Sequence, residues 1–360
     1  MFRSSEKALG IDIGRRFIKI VGLNHRAGAL TLDKYVVQRT PSQIIKDGVI
    51  EYPEELASII KSLLIEHDMK HRGAAISFSL NDGAGLVTKM EVPRLSTKEI
   101  LKVIAMQVED ETGHRLESLY GNFTTTKTVA LEGKETAEIL FAAAHKECAD
   151  RVFSVLKAVG LRPSYAEIDI FSSMRALFRE GRTHSPKDAT VLVDIGDIQS
   201  RFFVARTNSF DYLRTIPLGG GEWISKAAEF LGGGLKEAEE ALHRNGVAFT
   251  EEATLPVEVR GISKAISESV GQVVEELKNT VEFYEEMQDK KVGRVILLGG
   301  GARLKGLRAK VSSSLGIPCE NAKPGTHLIL SSEQQEELSD VWPSIAVAVG
   351  LAMKEASLNA

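Results

Sequence analysis

The stretch "LGIDIGRRFIKIVGL", Leu9 to Leu23, sets an acid at the end of an apolar run. Ala8 to Ile13 reads as a short buried strand. Asp12 stands near its end, beside Gly14 and ahead of Arg15 and Arg16. A carboxylate there is costly unless it is hydrogen-bonded, paired or near a metal. Gly14 allows an unusual backbone angle or a close approach by another group. Taken alone, the stretch reads first as a strand end with an exposed acid. A second copy changes that reading. "ATVLVDIGDIQSRFFVAR", Ala189 to Arg206, repeats Asp12-Ile13-Gly14 as Asp194-Ile195-Gly196, 182 residues on. Each triplet follows an apolar strand and precedes a turn and a second strand, Phe17–Leu23 in one case and Arg201–Ala205 in the other. The spacing is far too long for a solenoid, and two related lobes explain it.

Two like charges facing each other across a cleft repel and need a counter-charge. Mg²⁺ is the natural one, because one or two carboxylates plus substrate phosphates usually hold it. Asp12 and Asp194 are therefore the candidate metal ligands and the candidate catalytic pair. Gly14 and Gly196 let phosphate oxygens approach backbone N–H groups. Two further glycine runs suit a nucleotide. "LGGGEWISKAAEF" (Leu218–Phe230) puts Gly219, Gly220 and Gly221 before a helix whose N-terminus can host an anion. "VILLGGGARLKGL" (Val295–Leu307) ends a buried strand with Gly299, Gly300 and Gly301, where a base or ribose can lie on bare backbone. A P-loop is excluded, because Leu307-Arg308 follows Gly306 where Lys and Ser or Thr are needed. A dinucleotide fingerprint lacks its third glycine, replaced by Leu304. Glu320 stands at about the right distance beyond, so that rival stays open.

The chain has 360 residues, enough for two domains or one bilobal unit. Its 45 basic and 49 acidic residues leave a formal charge of −4, which gives no sign of a nucleic-acid binder. Cys148 and Cys319 lack metal-ligand spacing and fit a reducing compartment. Met1–Lys7 is short and charged, with no apolar region behind it long enough for a signal peptide. No run nears the roughly 20 apolar residues needed to cross a bilayer. A soluble cytoplasmic protein is expected.

Strands are expected at Leu9–Ile13, Phe17–Leu23, Leu30–Gln38 and Ala74–Leu80, with a helix over Glu54–His67. "NDGAG" (Asn81–Gly85) reads as a turn. From Leu86 the texture changes to a β-α-β-β-α block: Ser96 with Glu99 is a capping-box signature, and strands Phe123–Leu131 and Ala137–Ala144 precede helix Lys146–Val159. Asp169–Phe178 is helical, and the polar "EGRTHSPKD" (Glu180–Asp188) is the linker. Long helices at Leu235–Arg244 and Ile262–Glu286 and a last helix, Ile345–Glu355, follow. The domain reading is a first lobe over 1–85, an inserted subdomain over 86–165 and a return with linker over 166–188. A second lobe then covers 189–340, and a closing helix covers 341–360.

Together these motifs resemble the actin/Hsp70/sugar-kinase ATPase superfamily. "GIDIGRRFIKI" is similar to its first phosphate motif, "VLVDIGDIQSRFF" to its second and "VILLGGGARLKGL" to its adenosine motif. "MEVPRLSTKEILKVIAMQVED" and "EILFAAAHKECADRVFSVLKAVGLRPSYAEIDIFSSMRAL" resemble the two ends of the inserted subdomain of the FtsA-like branch. The likeness is greatest to the PilM family of type IV pilus assembly proteins. The resemblance implies an α/β fold, a two-lobed actin-like ATPase of duplicated ribonuclease-H-like lobes with an inserted FtsA-type subdomain. It implies ATP and Mg²⁺ as cofactors, held through Asp12, Gly14, Arg15, Arg16, Asp194, Gly196, Gly219, Gly220, Gly221, Glu239, Gly299, Gly300, Gly301 and Arg303. It implies a scaffold at the cytoplasmic face of the inner membrane. Such a scaffold binds the N-terminal peptide of a PilN-like membrane protein between the first lobe and the inserted subdomain, with pilus motor ATPases and self-association as further contacts. Arg15 and Arg16 replace the usual small residues, Asp197 adds negative charge, and His243 stands where a lysine is usual. Those departures point to slow hydrolysis. Filament formation of the FtsA kind is the alternative, and a sugar or acid kinase a more distant one. The chain ends soon after its last core helix, where FtsA-like chains add a membrane helix.

Overall fold

The fold is that of a computed structural model, which describes residues 7–26, 29–46, 48–69, 74–80, 85–93, 95–131, 134–178, 188–206, 209–247 and 256–358. The expected turn at 81–84 and most of the expected linker (180–187) fall outside those residues.

The chain opens with β1 (Lys7–Ile13), β2 (Phe17–Arg26) and β3 (Ala29–Arg39), then a short hairpin of β4 (Ile45–Lys46) and β5 (Val49–Ile50). Helix α1 (Pro53–Glu66) leads to β6 (Ala75–Leu80) and β7 (Gly85–Pro93). Then come α2 (Thr97–Thr112), β8 (Leu119–Leu131), β9 (Lys134–His145), α3 (Lys146–Ala158), β10 (Tyr165–Ile168) and α4 (Asp169–Leu177). The second half holds β11 (Ala189–Ile195), β12 (Ser200–Arg206), β13 (Ser209–Ile216), α5 (Gly220–Leu231), α6 (Leu235–Asn245) and α7 (Val257–Gln288). It closes with β14 (Val292–Leu298), α8 (Leu307–Leu315), β15 (Cys319–Asn321), β16 (Leu328–Ile329), α9 (Ser332–Leu338) and α10 (Trp342–Leu358).

Backbone contacts divide the chain into two units, Met1–Ser173 with Val347–Ala360, and Met174–Ala346. The division falls inside α4 and inside α10. In the first unit the strands lie in the order β3-β2-β1-β6-β10, an antiparallel meander followed by two parallel strands. In the second unit the order is β13-β12-β11-β14-β15, with the same directions. The sequence repeat is therefore a repeat of topology. Each unit places its acid at the carboxyl end of a central strand, where open α/β sheets bind ligands.

Each unit has its own core. Ile11, Ile20, Leu56, Ile60 and Phe78 anchor the first, and Val193, Phe202, Ile266, Val270 and Leu297 the second. A third, smaller core lies under the sheet β7-β9-β8, where Met90, Ile104, Val108, Ile139 and Phe141 pack. Helix α2 covers that sheet, and its capping box forms as the sequence predicts: Ser96 accepts from the Glu99 N–H, and Glu99 accepts from the Ser96 N–H. Helix α3 does not join this small core. Its Ala149, Val155 and Leu156 are buried in the first unit's core with α1. The amphipathic pattern of α3 specifies a buried face and says nothing of which sheet it meets.

Candidate functional site

In the first hairpin Ile13 lies opposite Ile18, so a four-residue turn, Gly14–Phe17, joins β1 to β2. The Gly14 N–H closes it on the Phe17 carbonyl at 3.0 Å. This register sets Asp12 directly opposite Lys19. Lys19 Nζ donates to Asp12 Oδ2 at 2.7 Å, and Ser79 Oγ on β6 donates to Oδ1 at 2.8 Å. Asp12 is 3% exposed, so burial is compensated by a cation and a hydroxyl. Thr40, just past β3, locks the turn: its Oγ1 donates to the Gly14 carbonyl at 2.8 Å and its N–H to the Arg16 carbonyl at 2.9 Å. Arg15 and Arg16 are half-buried in the turn. The Arg39 guanidinium stands 5.1 Å over the Phe17 ring. This end of the sheet carries Arg15, Arg16, Lys19 and Arg39 together with Asp12.

The second hairpin repeats the plan. Asp194 lies opposite Arg201, whose guanidinium donates to Asp194 Oδ2 at 2.8 Å, and the Gly196 N–H closes the turn on the Gln199 carbonyl at 2.9 Å. Here the Gly196 carbonyl takes a backbone donor, the Gly220 N–H, at 2.9 Å. The Gly221 N–H donates to the Asp197 carbonyl at 2.8 Å. The glycines of the "LGGG" run thus serve a close approach of two loops, and Gly220 and Gly221 lie inside α5 with their N–H groups occupied. A Cβ on Gly219 would stand 2.4 Å from the Asp197 carbonyl oxygen, and one on Gly221 the same distance from Asp197 Oδ1. The third glycine run closes over the same acid. Gly299, at φ +83°, would carry a Cβ 2.4 Å from Asp194 Oδ1, and a Cβ on Gly301 would meet Ile195 at 2.3 Å. Gly220 and Gly301 also face each other closely. The second unit therefore gathers Asp194, Gly196, Gly219, Gly220, Gly221, Gly299 and Gly301 around one point. Glu239 is buried on α6, and Arg303 ends the short helical turn Gly300–Arg303. Lys226 pairs with Glu222 along α5, an ordinary i,i+4 pair.

The sequence reading missed Lys19 and Arg201. The signal was present, since each stands seven residues after its aspartate. That offset bears on magnesium. Each carboxylate already has its own cation, and both oxygens of Asp12 are hydrogen-bonded. Asp194 engages Arg201 through Oδ2, and its Oδ1 lies against Gly299. Among the described residues no three His, Cys, Asp or Glu groups stand together as a metal site. Any such ion would take its other ligands from water and phosphate.

The first unit also carries an open groove of about 850 Å³, lined from β8, β9, α3, β6 and β10. Tyr120 (51% exposed) and Phe153 (43% exposed) offer apolar surface there. Tyr120 OH donates to Asp150 at 3.1 Å, which pushes the phenol above its ordinary pKa. Its size is that of a ligand pocket, and it falls in the region where the resemblance implies a partner peptide.

The model of one protein family, "Type IV pilus assembly protein PilM", matches residues 10–356. No curated protein sequence matches the chain. Among solved structures, a "PilM-PilN type IV pilus biogenesis complex" is similar, with a TM-score of 0.82 at 23% identity, covering 97% of this chain and 98% of that one. The ethanolamine utilization protein EutJ from Carboxydothermus hydrogenoformans follows with a TM-score of 0.58 at 14% identity, covering 96% of this chain and 89% of that one. MreB5 of Spiroplasma citri bound to ADP has a TM-score of 0.54 at 12% identity, covering 99% and 98%. These likenesses give the chain the actin-like ATPase fold.

Proposed function

The chain belongs to the type IV pilus assembly protein PilM family, and from that premise we propose that it is a nucleotide-binding scaffold for a PilN-like inner-membrane protein. The observation that carries this reading is the groove lined by β8, β9, α3 and β10, with Tyr120 and Phe153 exposed in it. A short N-terminal peptide of the partner occupies that groove. No described helix is long and apolar enough to cross a membrane; in this reading the partner provides the contact with the inner membrane.

Each hairpin contributes to nucleotide binding. Arg15, Arg16 and Lys19 supply positive charge for a polyphosphate, while Gly299 keeps a side chain away from Asp194, and Gly219 and Gly221 keep theirs away from Asp197. With ATP bound, Asp194 would be the residue that holds a Mg²⁺ ion, which would supply counter-charge to the phosphates. Asp197, three residues after Asp194, adds a second acid to this turn, and hydrolysis is correspondingly slow. The inserted segment, read from sequence as 86–165, acts through its sheet, while α3 belongs to the first unit's core.

The groove is tested by substitution. Deleting the whole insert would strip Val155 and Leu156 from the first unit's core, so point changes are preferable. Phe153→Ser with Tyr120→Ala should abolish co-purification of the PilN-like protein from detergent-solubilised membranes while leaving ATP binding within about twofold. Undiminished co-purification of a folded double variant would move the partner elsewhere.

A further inference from the structure

Helix α2 carries much of its charge against its own dipole. Lys98 stands in its first turn, while its last turn holds Glu109, Asp110 and Glu111 and no base. A helix has partial positive charge at its N-terminus and partial negative charge at its C-terminus, so acids favour the start and bases the end. Glu99 obeys that rule within the capping box. Glu111 is tied down locally, accepting from Gln107 Nε2 at 2.7 Å. Lys98, Glu109 and Asp110 oppose the rule on the exposed side of the helix.

That side is apolar at its middle. Ile100, Ile104 and Val108 are buried over the sheet β7-β9-β8. Away from them run Lys98, Leu101, Lys102, Met106 and Glu109, all exposed, with half-buried Ala105 among them. Spacings of three and four residues put them on one stripe. Leu101 is 41% exposed and Met106 68%. The partner groove lies across the sheet from this stripe. Ile139 and Phe141 pack in the core under α2, while Leu140 and Ala142 border the groove, as alternation along a strand requires.

Reversed, the stripe complements itself. Two copies of α2 laid antiparallel about a point between Val103 and Ile104 set Lys98 against Glu109 of the second copy. Leu101 then meets Met106, and Lys102 lies beside Ala105. Two-fold symmetry makes each contact twice. Each basic N-terminus lies beside an acidic C-terminus, so charges unfavourable within one helix become favourable between two. An anionic membrane would attract the lysines and repel the acids of the same helix, which makes it the poorer occupant.

We propose that α2 is a self-association face, on which the α2 of a second copy of this chain lies antiparallel. One helix face on each side buries less than the roughly 1,600 Å² of a standard interface, so the dimer is weak and weakens further with salt.

Sedimentation velocity of the full-length chain over a concentration series reads the dimer. Lys98→Glu alone sets acid against acid at both ends of the pair, and Glu109→Lys alone sets base against base. Each should weaken dimerisation about tenfold or more. Both changes suit the helix dipole, so α2 itself is not weakened, and circular dichroism checks that each variant is folded. Mixed in equal amounts, the two variants restore both ion pairs, and their heterodimer should form within about threefold of wild-type strength. A wild-type chain that stays monomeric at every concentration would overturn the proposal. Folded single variants that dimerise as wild type does, or a mixture of folded variants that stays monomeric, would overturn it equally.

Discussion

The hairpins of β1–β2 and β11–β12 share a backbone plan and differ in what surrounds it. Both set an aspartate opposite a base and close a four-residue turn through the glycine N–H. In the first, the glycine carbonyl is held by a side chain, Thr40. In the second, a helix N-terminus approaches so closely that backbone holds backbone, and glycine is required at 219 and 221. Around the first turn stand Arg15, Arg16, Lys19 and Arg39 with Asp12, and around the second Asp194 and Asp197 with Arg201. The duplicated scaffold is the same in both units, and what surrounds the acid differs: a side chain closes on the turn in one, glycine backbone in the other.

This comparison can be broken most forcefully at Asp12. Asp12→Ala removes the carboxylate that half-buried Lys19 and Ser79 both donate to, and should cost about 3–5 kcal/mol of stability, read by denaturant unfolding. Asp194→Ala loses one such bond and should cost less, about 2–3 kcal/mol. Equal costs would mean that the two acids are equivalent after all. Next in size, Gly219→Ala drives a methyl against the Asp197 carbonyl and should cost roughly 1–3 kcal/mol. Thr40→Val in the first unit removes one hydrogen bond from the Gly14 carbonyl and should cost about 1 kcal/mol.

The smallest expected effect lies in the inserted sheet. His145 is held below its ordinary pKa first by burial and then by His114, whose ring centre is 4.4 Å away. Because the fold favours neutral His145, the unfolded chain binds more protons as pH falls. Stability should be intact above about pH 6.5 and decline below it. In His114→Ala that decline between pH 7 and pH 5 should shrink. An unchanged thermal-denaturation profile across that range would remove the pair from the pH response.

The repeat of Asp-Ile-Gly, the meanders that follow it and the capping box at Ser96 were legible because each is local: alternation, turn length and a cap are written within a few residues. Lys19 and Arg201 were equally local and were passed over, since their meaning depends on register. Once the turn is known to span Gly14–Phe17, residue 12 must face residue 19. The role of Gly219–Gly221 was not legible. A glycine run reads alike whether it admits phosphate or another strand's carbonyl, and only the packing of α5 against the Gly196 turn separates the two. The docking of α3 onto α1 was hidden for the same reason, because an apolar helix face does not name its partner.

Equilibrium binding of ATP to the purified chain tests the central claim most directly, with wild type, Asp12→Asn and Asp194→Asn each measured with Mg²⁺ and with chelator. Wild type should bind more tightly with Mg²⁺, and Asp194→Asn should lose about 1.5–3 kcal/mol of affinity together with most of that difference. Asp12→Asn should weaken binding by less and keep the Mg²⁺ dependence. Wild-type affinity in both folded variants would contradict the assignment of the duplicated hairpins to nucleotide.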